Sequence, residues 1–488
     1  MQRLNPLRLL LALAGMLALS LAIWQLQAAY YGLDVLRFTQ DGLPVRIYLN
    51  KGADPETRPL VLVGHGFAGS SEVMEGYALT FAHAGYTVAA WDFDGHGESL
   101  RRMENADLVQ NPRQVRQLMV ARGLTDNQRV AIVGHSMGSG VAVEFGKKYS
   151  DVAAVVAISP VSRTVDPQLP RNLLLMAGAL EPQFLLSSQL MLAQAGGAGG
   201  DLAAGTARKQ VTIPAVEHVA ILFSDAAHQE ALRWLDGTFG PQPGRRAFHD
   251  LRPLWYVVGL LGMVLMAGAL APGAAPEAAR SAGPAPLRLG AGLLGGAAAA
   301  TLLLELAGGL GVDLRQLLGL SIGGYLMVWF GLAGLAAGLL SGLPLDRPTR
   351  GELQGGLVAF AALWLGFGWL GSFTWLNWTL TPARLGLWLL GTLLLLPWML
   401  TMGEAMRSPR PVVKLSWWLA GSLLVCGSIM AAMTANPELA FLGLILPLFP
   451  VVLAVHALVT GTQGSRWVYA LSGAAFVSWL LAAVFPLV

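Results

Sequence analysis

The sequence predicts a doubly wound α/β domain with a mostly parallel sheet, joined to an all-α domain of membrane-spanning helices. Two observations support this. First, 54% of the 488 residues are hydrophobic and only 12% are charged, whereas a soluble chain carries about 25% charged residues. Second, charged residues return between about residues 33 and 250, where short apolar runs alternate with polar, helix-like stretches. Such alternation is typical of an α/β domain.

The same composition excludes some classes of function. The formal net charge is +3, and no basic stripe occurs outside the loops that flank apolar segments. Nucleic-acid binding is therefore not expected. The single cysteine, Cys426, excludes an intramolecular disulfide and a cysteine-based zinc site.

The first predicted element is a membrane anchor over residues 1–32. Arg3 and Arg8 lie in or before an apolar stretch of about 20 residues, a length that can span a bilayer. A cleaved signal peptide is the alternative, with Ala28 and Ala29 near a small-residue cleavage site. The apolar run exceeds the usual signal core of about 7–15 residues, which favours the anchor.

The α/β domain is predicted over residues 33–250. It begins with a β-hairpin whose turn is Asp41-Gly42. Five apolar runs then end in small or polar residues, as expected of strands buried on both faces of a parallel sheet. These runs are RPLVLVGHG, YTVAAWDFDG, RVAIVGHS, VAAVVAISP and NLLLMAG.

A transmembrane domain of about eight helices is predicted over residues 251–488. Each apolar segment is long enough to span a bilayer, and the alternation typical of barrel strands is absent. The segments are 254–271, 286–310, 316–342, 354–374, 384–404, 413–433, 438–460 and 466–486. Together with the anchor they predict nine spans.

The basic residues predict the topology, because arginine and lysine favour the inner side of a membrane. With the N-terminus inside, ten of them fall on the inner side, and only Arg315 and Arg384 lie in short outer loops. The ten are Arg3, Arg8, Arg280, Arg288, Arg347, Arg350, Arg407, Arg410, Lys414 and Arg466. This split places the α/β domain on the outer face of a bacterial cytoplasmic membrane, and a cleaved first segment would leave it there.

A serine between glycines, GHSMG at Gly134–Gly138, follows an apolar strand and precedes a helix-like stretch. This is the context that the G-x-S-x-G nucleophile pattern requires. At such a turn Ser136 projects its oxygen beside a helix N-terminus, which favours developing negative charge. A glycine-rich turn with a capping serine is the alternative.

Two neighbouring loops support the nucleophile interpretation. The triplet His65-Gly66-Phe67 follows an earlier strand, in the position from which such enzymes take one oxyanion-hole amide. The backbone N–H groups of Phe67 and Met137 are therefore the predicted oxyanion hole, while His65 is expected to hold the loop in shape. The stretch DFDGHGES after the next strand is expected to form a structural turn beside the site.

The order of these elements resembles the α/β-hydrolase superfamily over about residues 33–240. The resemblance implies that an acid and then a histidine follow the serine nucleophile along the chain. Glu181 lies three residues after Gly178, at the end of the NLLLMAG strand, where the family usually has aspartate, and it is the expected acid. The alternatives for the acid are a solvated loop carboxylate at this position, or Asp166, Asp201 or Glu217 in its role.

The resemblance also implies a histidine base. Three histidines lie between the acid and the C-terminal apolar segments. His218 falls between a predicted strand and a helix, where its ring can reach Ser136, whereas His228 falls inside a helix and His249 abuts the next span. The implied Ser136–His218–Glu181 triad needs no metal or organic cofactor.

The expected function is that of a membrane-anchored serine hydrolase. Its substrate would be an ester, either an acyl lipid or an acylated envelope component, and its partner would be membrane lipid. Acyl transfer or peptide cleavage by the same triad is one alternative. Another is a non-catalytic transport or scaffold protein whose hydrolase domain only binds, although the intact serine–acid–histidine order argues against it.

Three further features stay open. Glu305 and His456 are the polar side chains deepest in predicted spans, where such groups are functional candidates. The tryptophan-rich stretch 363–380 is either an interfacial belt or a groove that presents a lipid. The segment 183–206 is a small cover over the site, a surface that touches the membrane, or an ordinary helix and loop.

Overall fold

An eight-stranded sheet organises the N-terminal part of the computed structural model, which describes residues 6–52, 54–125, 127–270, 283–460 and 464–488. The strands are β1 (Leu33–Gln40), β2 (Leu43–Asn50), β3 (Leu60–Gly64), β4 (Thr87–Trp91), β5 (Val130–His135), β6 (Val152–Ile158), β7 (Leu173–Gly178) and β8 (Arg208–Ile213). They lie in the order β1-β2-β4-β3-β5-β6-β7-β8. Strand β2 is antiparallel to both of its neighbours, and the other pairs are parallel.

The centre of the sheet is buried because helices cover both of its faces. All residues of β3, β4 and β5 are buried. In β3, Leu60 and Leu62 belong to the core on one face, and Val61 and Val63 belong to the core on the other. The first face is covered by α3 (Gln110–Ala121), α4 (Met137–Lys148) and α5 (Pro182–Gln194), and the second by α2 (Glu75–His83) and α6 (Asp225–Phe239). The predicted α/β fold with a mostly parallel sheet is confirmed.

The predicted hairpin is also present, with β1 and β2 joined at Asp41 and Gly42. These two residues have φ angles of 50° and 81°. Positive φ at both central positions is what a type I′ hairpin turn requires, and Gln40 pairs with Leu43 across it. The Asp-Gly pair therefore fixes the register of the first two strands.

Apolar helices, most of them long, form most of the remaining described chain. They are α1 (Pro6–Ala28), α7 (Arg252–Leu270), α8 (Pro286–Gly309), α9 (Gly323–Ser341), α10 (Arg350–Leu363), α11 (Pro382–Ala405), α12 (Pro411–Ala435), α13 (Leu442–Ile445), α14 (Leu448–Thr460) and α15 (Arg466–Val484). A π-helix, Trp364–Leu370, continues α10. Helix α9 begins at Gly323 rather than at the predicted residue 316, because Leu318 and Ile322 have φ angles of 61° and 62°.

Eight helices of the described chain are long and apolar enough to cross a membrane. They are Pro6–Ala28, Pro286–Gly309, Gly323–Ser341, Arg350–Phe373, Pro382–Ala405, Pro411–Ala435, Leu442–Thr460 and Arg466–Val484. Leucines such as Leu17, Leu302 and Leu393 point outward from them, 71%, 64% and 69% exposed. Soluble proteins rarely expose large apolar patches, so these helices fit an integral membrane protein.

One predicted span, 254–271, is not among these eight. Its described residues lie in α7, in which the apolar segment Arg252–Ala267 is shorter than the eight. Helix α7 packs along α1 through two small residues. A Cβ added to Gly15 would lie 2.6 Å from the Gly262 carbonyl oxygen, so the two backbones approach closely, as helices in membranes often do. The nine-span topology stays a prediction, and two residues on which it depends, Arg3 and Arg280, lie outside the described residues.

A buried arginine joins the helical part to the α/β part. The Arg384 guanidinium is fully buried and donates hydrogen bonds to the carbonyls of Ala482 at 2.5 Å and Phe485 at 2.8 Å. It also donates to the Gly95 carbonyl at 2.6 Å, in the loop after β4. The amide of Leu487 donates to the same Gly95 carbonyl at 2.9 Å. Arg384, which the topology prediction places in an outer loop, is therefore buried where the end of α15 contacts the α/β part.

Replacing Arg384 with methionine is expected to destabilise this junction strongly. The change removes a charged donor and leaves several buried carbonyls without their partner, and hydrogen bonds to charged groups contribute about 1.5–3 kcal/mol each. We expect the free energy of unfolding to fall by about 3 kcal/mol or more, measured by thermal unfolding of the full chain in detergent micelles. The matched control is Arg315→Met, because Arg315 is half-exposed and paired with Asp313. Equal unfolding temperatures for the two variants would contradict this role of Arg384.

Candidate active site

Ser136 lies in a tight turn between β5 and α4, and its backbone is strained. Its φ and ψ are 52° and −118°, in a region that non-glycine residues rarely occupy and that clusters at functional sites. The two flanking positions must be glycine because a side chain there would collide with neighbouring backbone. A Cβ at Gly134 would lie 2.1 Å from the Gly138 carbonyl oxygen, and one at Gly138 would lie 2.5 Å from the His65 carbonyl oxygen. The pattern is thus a strand-to-helix elbow rather than an open glycine-rich turn.

Three of the predicted site residues meet at this turn. The His218 Nε2 atom lies 3.1 Å from Ser136 Oγ, and His218 Nδ1 lies 2.8 Å from Glu181 Oε2. Ser136, His218 and Glu181 are only 6%, 5% and 4% exposed. A carboxylate only accepts hydrogen bonds, so the proton of the neutral His218 ring lies on Nδ1. The Nε2 lone pair then faces the serine hydroxyl.

The alternative candidates lie in other local structures. Glu217 accepts hydrogen bonds from the Val219 and Ala220 amides, and Asp166 and Asp201 likewise accept from amides two or three residues ahead. His228 is buried in α6 with Nε2 at 2.8 Å from the Leu222 carbonyl oxygen. His249 is exposed and pairs with Asp225.

Glu181 is held by two further donors. Its Oε1 atom accepts from Ser159 Oγ at 2.7 Å and from the Gly178 amide at 2.5 Å. Both bonds leave Oε2 directed at His218. The carboxylate therefore has one fixed orientation, with one oxygen anchored to the end of β7 and the other on the imidazole.

Two residues that the sequence analysis did not single out hold His218. The ring of His135 lies with Nε2 at 3.0 Å from the His218 carbonyl oxygen. The ring of Phe184 stacks on the His218 imidazole, with centroids 4.2 Å apart and planes 17° from parallel. Phe184 follows Glu181 by three residues in the first turn of α5, a spacing that places both on one helix face. This spacing could have predicted that Phe184 lies near the histidine that Glu181 binds. Nothing in the sequence signals the contact made by His135.

The loop that carries Phe67 lies directly against the nucleophile. A Cβ added to Gly66 would be 3.1 Å from Ser136 Cβ. Within the described part of the chain, neither the Phe67 amide nor the Met137 amide donates a hydrogen bond. The Phe67 ring makes an edge-to-face contact with Phe441 of the helical part, at 4.4 Å between centroids. The two amides remain the predicted oxyanion hole.

His65 has the structural role that the sequence predicts. Its Nδ1 lies 2.7 Å from the Gly66 carbonyl oxygen, and its Nε2 accepts from the Phe93 amide at 3.0 Å. Burial lowers the pKa of His65 to about 4, so the ring is neutral. Asp92 in the next loop accepts from the Ser71 and Glu98 amides at 2.7 and 2.9 Å. Both loops beside the elbow are thus held by buried side chains.

Buried neutral histidines are expected to make the α/β part sensitive to acid. Burial lowers the pKa of His65 from 6.5 to about 4 and lowers those of His96, His135 and His228 as well. Between about pH 6.5 and 4 the unfolded chain therefore binds protons that the folded chain does not, and stability falls as pH falls. At about 1.4 kcal/mol per pKa unit, His65 alone accounts for about 3 kcal/mol.

Asp92 acts in the opposite direction, since burial and nearby Glu72 raise its pKa to about 7, but the histidines outnumber it. The measurement is the unfolding temperature of the full chain between pH 7.5 and 4.5. His65→Gln is expected to flatten the dependence, and the exposed-site control His249→Gln is expected to leave it unchanged. An unfolding temperature that is independent of pH over this range would contradict the prediction.

The remaining polar candidates lie apart from this site. Glu305 accepts from Asn436 Nδ2 at 2.6 Å, and His456 Nε2 lies 3.1 Å from Ser472 Oγ, both inside the helical part. Segment 183–206 begins within α5, which buries Met191 and leaves Leu186 and Leu190 exposed, so its three interpretations stay predictions. Among the described residues, no group of three or more His, Cys, Asp or Glu side chains could hold a metal ion.

Comparison with known families agrees with this geometry. Residues 55–215 match the family model described as serine aminopeptidase, S33, of the hydrolase class. The N-terminal region has the α/β-hydrolase fold. The match includes the elbow, the Phe67 loop and Glu181, whereas His218 lies just beyond its end. The helical C-terminal region lies outside the matched residues.

Curated relatives match only part of the hydrolase domain. A dihydrolipoyllysine-residue acetyltransferase component of the acetoin cleaving system from Cupriavidus necator is 38% identical over 135 residues, which are 28% of this chain and 33% of that protein. A monoacylglycerol lipase from Mycolicibacterium smegmatis is 30% identical over 123 residues, 24% of this chain and 43% of that protein. The chain thus spans between a third and a half of the length of these two relatives.

Solved structures were also compared. A bacterial membrane phospholipase A is 16% identical, with a TM-score of 0.35, over 46% of this chain and 92% of that one. A bacterial heroin esterase is 16% identical, with a TM-score of 0.34, over 47% of this chain and 90% of that one.

Proposed function

We propose that the protein is a membrane-anchored serine hydrolase that cleaves an ester through Ser136, His218 and Glu181. One observation carries the proposal: a continuous chain of contacts from Ser136 Oγ to His218 Nε2 at 3.1 Å and from His218 Nδ1 to Glu181 Oε2 at 2.8 Å. A hydroxyl, an imidazole and a carboxylate in this order make an activated nucleophile. The match to a hydrolase family over residues 55–215 supports the proposal.

The chemistry follows from these contacts. His218 Nε2 takes the Ser136 proton while Oγ attacks the ester carbonyl carbon. The Phe67 and Met137 amides stabilise the oxyanion, and Glu181 stabilises the imidazolium. The tetrahedral intermediate then loses the alcohol, which receives the proton from His218. Water, activated by the same imidazole, releases the acid and restores Ser136.

The proposed substrate is an acyl lipid or an acylated component of the cell envelope. The Phe67 ring, on the loop of the predicted oxyanion hole, contacts Phe441, which directly precedes the candidate span Leu442–Thr460. This contact supports a site at the membrane surface. A relative named as a monoacylglycerol lipase is consistent with a lipid ester.

The proposed organisation is an anchor over residues 1–32, an extracytoplasmic hydrolase domain over 33–250 and a transmembrane domain over 251–488. The split of basic residues supports the outer side. Ser150 is exposed in the hydrolase domain. We expect Ser150→Cys in intact cells to react with a membrane-impermeant maleimide. Ser408→Cys, on the predicted inner side, is expected to react only after lysis, and the reverse pattern would place the domain inside.

Peptide cleavage is the second candidate, because the matched family is described as serine aminopeptidase. The full-length protein in lipid nanodiscs should be tested on p-nitrophenyl esters of increasing acyl length and on aminoacyl p-nitroanilides. Ester turnover well above anilide turnover is the expected result. Anilide turnover alone would establish a peptidase, and the absence of both would favour a non-catalytic hydrolase domain.

A further inference from the structure

A tryptophan-rich recess lies in the helical part, between α10 with its π-helix, the start of α11 and α15. Its volume is about 450 Å³, within the range of about 300–1,000 Å³ typical of ligand sites. Its walls include Trp364, Trp369, Trp378, Leu385, Trp388 and Trp479. A π-helix is rare and often occurs at functional sites.

The arrangement differs from a simple interfacial belt, in which each indole lies at the lipid surface. Trp378 and Trp479 are buried, 9% and 2% exposed, and their rings lie 5.0 Å apart. The Trp388 ring stacks on Phe360 at 5.6 Å. Only Trp364 and Trp369 are more than 40% exposed among these tryptophans. The tryptophans therefore form a concave, preorganised floor with two exposed indoles at its rim.

The chemistry of the recess matches a hydrocarbon chain. Among the described residues that line it, none is charged. Helices α10, α11 and α15 all belong to candidate spans, so we expect lipid around the recess. Leu385 on its wall is 44% exposed. A recess that is apolar, open on one side and surrounded by lipid fits an acyl chain.

The recess lies beside the hydrolase domain. The chain that follows the π-helix, residues 371–381, joins the recess to the two loops that carry the site. The Asn377 amide donates to Ser70 Oγ at 3.0 Å, and Ser70 lies three residues after Phe67 in the same loop. The centroids of the Trp375 and Phe223 rings lie 5.8 Å apart, and Phe223 lies five residues after His218. The recess is thus at the end of the spans that faces the hydrolase domain, where lipid chains meet their headgroups.

We propose that this recess is a binding site for an acyl chain of a membrane lipid. The proposal does not depend on the chemistry of Ser136. The bound chain would pack against the indole floor, and its headgroup end would lie near residues 371–381. Each methylene that the recess buries favours binding, so filling the recess with protein should weaken binding strongly.

The test uses the full-length Ser136→Ala protein, which keeps lipid binding separate from hydrolysis. A trace of phospholipid with a diazirine near the end of one acyl chain is added to the protein in detergent micelles. After photolysis, adducts are located by peptide mass spectrometry. We expect adducts to concentrate in peptides from residues 360–388, relative to the exposed leucines of α8, Leu302 and Leu303.

Leu385→Trp fills the recess and is expected to lower this labelling about tenfold. Leu393→Trp is the matched control, since Leu393 is exposed on the same helix and does not line the recess; its labelling should stay at the parent level. Thr379→Trp, from another wall, serves if Leu385→Trp fails to fold. Equal labelling of the recess and α8, or equal labelling of the filled and control variants, would overturn the proposal.

Discussion

Replacing Ser136 with alanine is expected to lower kcat/KM for ester hydrolysis by at least about ten-thousand-fold, because no nucleophile remains to form the acyl-enzyme. His218→Ala should cause a loss of the same size, because the serine proton then has no acceptor. The double variant should be no worse than either single variant, since the two residues act as a unit. The measurement uses the best ester of the acyl-length series with the full-length protein.

The matched control is Ser162→Ala. Ser162 is exposed in the loop after β6, and the control should keep full activity and the same unfolding temperature. If Ser136→Ala retains a tenth or more of the parent activity, the nucleophile lies elsewhere. Additive losses in the double variant would show that Ser136 and His218 do not act on one proton.

Replacing Glu181 with glutamine is expected to lower kcat by about a thousand- to ten-thousand-fold, through the wrong histidine tautomer. The amide oxygen of the introduced side chain can still accept from Ser159 Oγ and the Gly178 amide, as Glu181 Oε1 does. Its NH₂ group then faces His218 Nδ1, which must become the acceptor. The imidazole proton then lies on Nε2, so His218 can no longer accept the proton of Ser136.

This variant should fold normally, because both anchoring hydrogen bonds remain, and its KM should change little. Glu217→Gln is the control, since Glu217 is an exposed carboxylate bound only to local amides. A large loss in Glu217→Gln with little loss in Glu181→Gln would reverse the assignment of the acid. Comparable small losses in both would show that no carboxylate orients His218.

The hydrolase fold could be predicted because its signals are local. Strands buried on both faces are continuous apolar runs, and β3, β4 and β5 match the predicted runs. Asp41-Gly42 determines the hairpin turn, and the glycines at 134 and 138 are needed because larger residues would collide with neighbouring backbone. The acid and histidine candidates came from the chain order that the α/β-hydrolase resemblance implies, and the structure brings them together with Ser136.

Contacts between distant segments could not be predicted in this way. Arg384 was expected in a short outer loop, yet it is buried against carbonyls of α15 and of the loop after β4. Its role depends on how the helical part docks on the hydrolase domain, which no local pattern encodes. The same holds for His135, whose position in the elbow motif tolerates many residues. Helix α9 begins later than predicted because Leu318 and Ile322 have positive φ angles, and a run of apolar residues does not indicate such angles.

Covalent labelling of Ser136 tests the central claim most directly. The full-length protein in nanodiscs is treated with a fluorophosphonate probe, alongside Ser136→Ala and His218→Ala, and the modified residue is located by mass spectrometry. The account predicts one phosphonate adduct on Ser136 in the parent protein, none at that position in Ser136→Ala, and strongly slowed labelling in His218→Ala. A folded parent protein that takes no label, or labelling that persists unchanged in His218→Ala, would contradict the account.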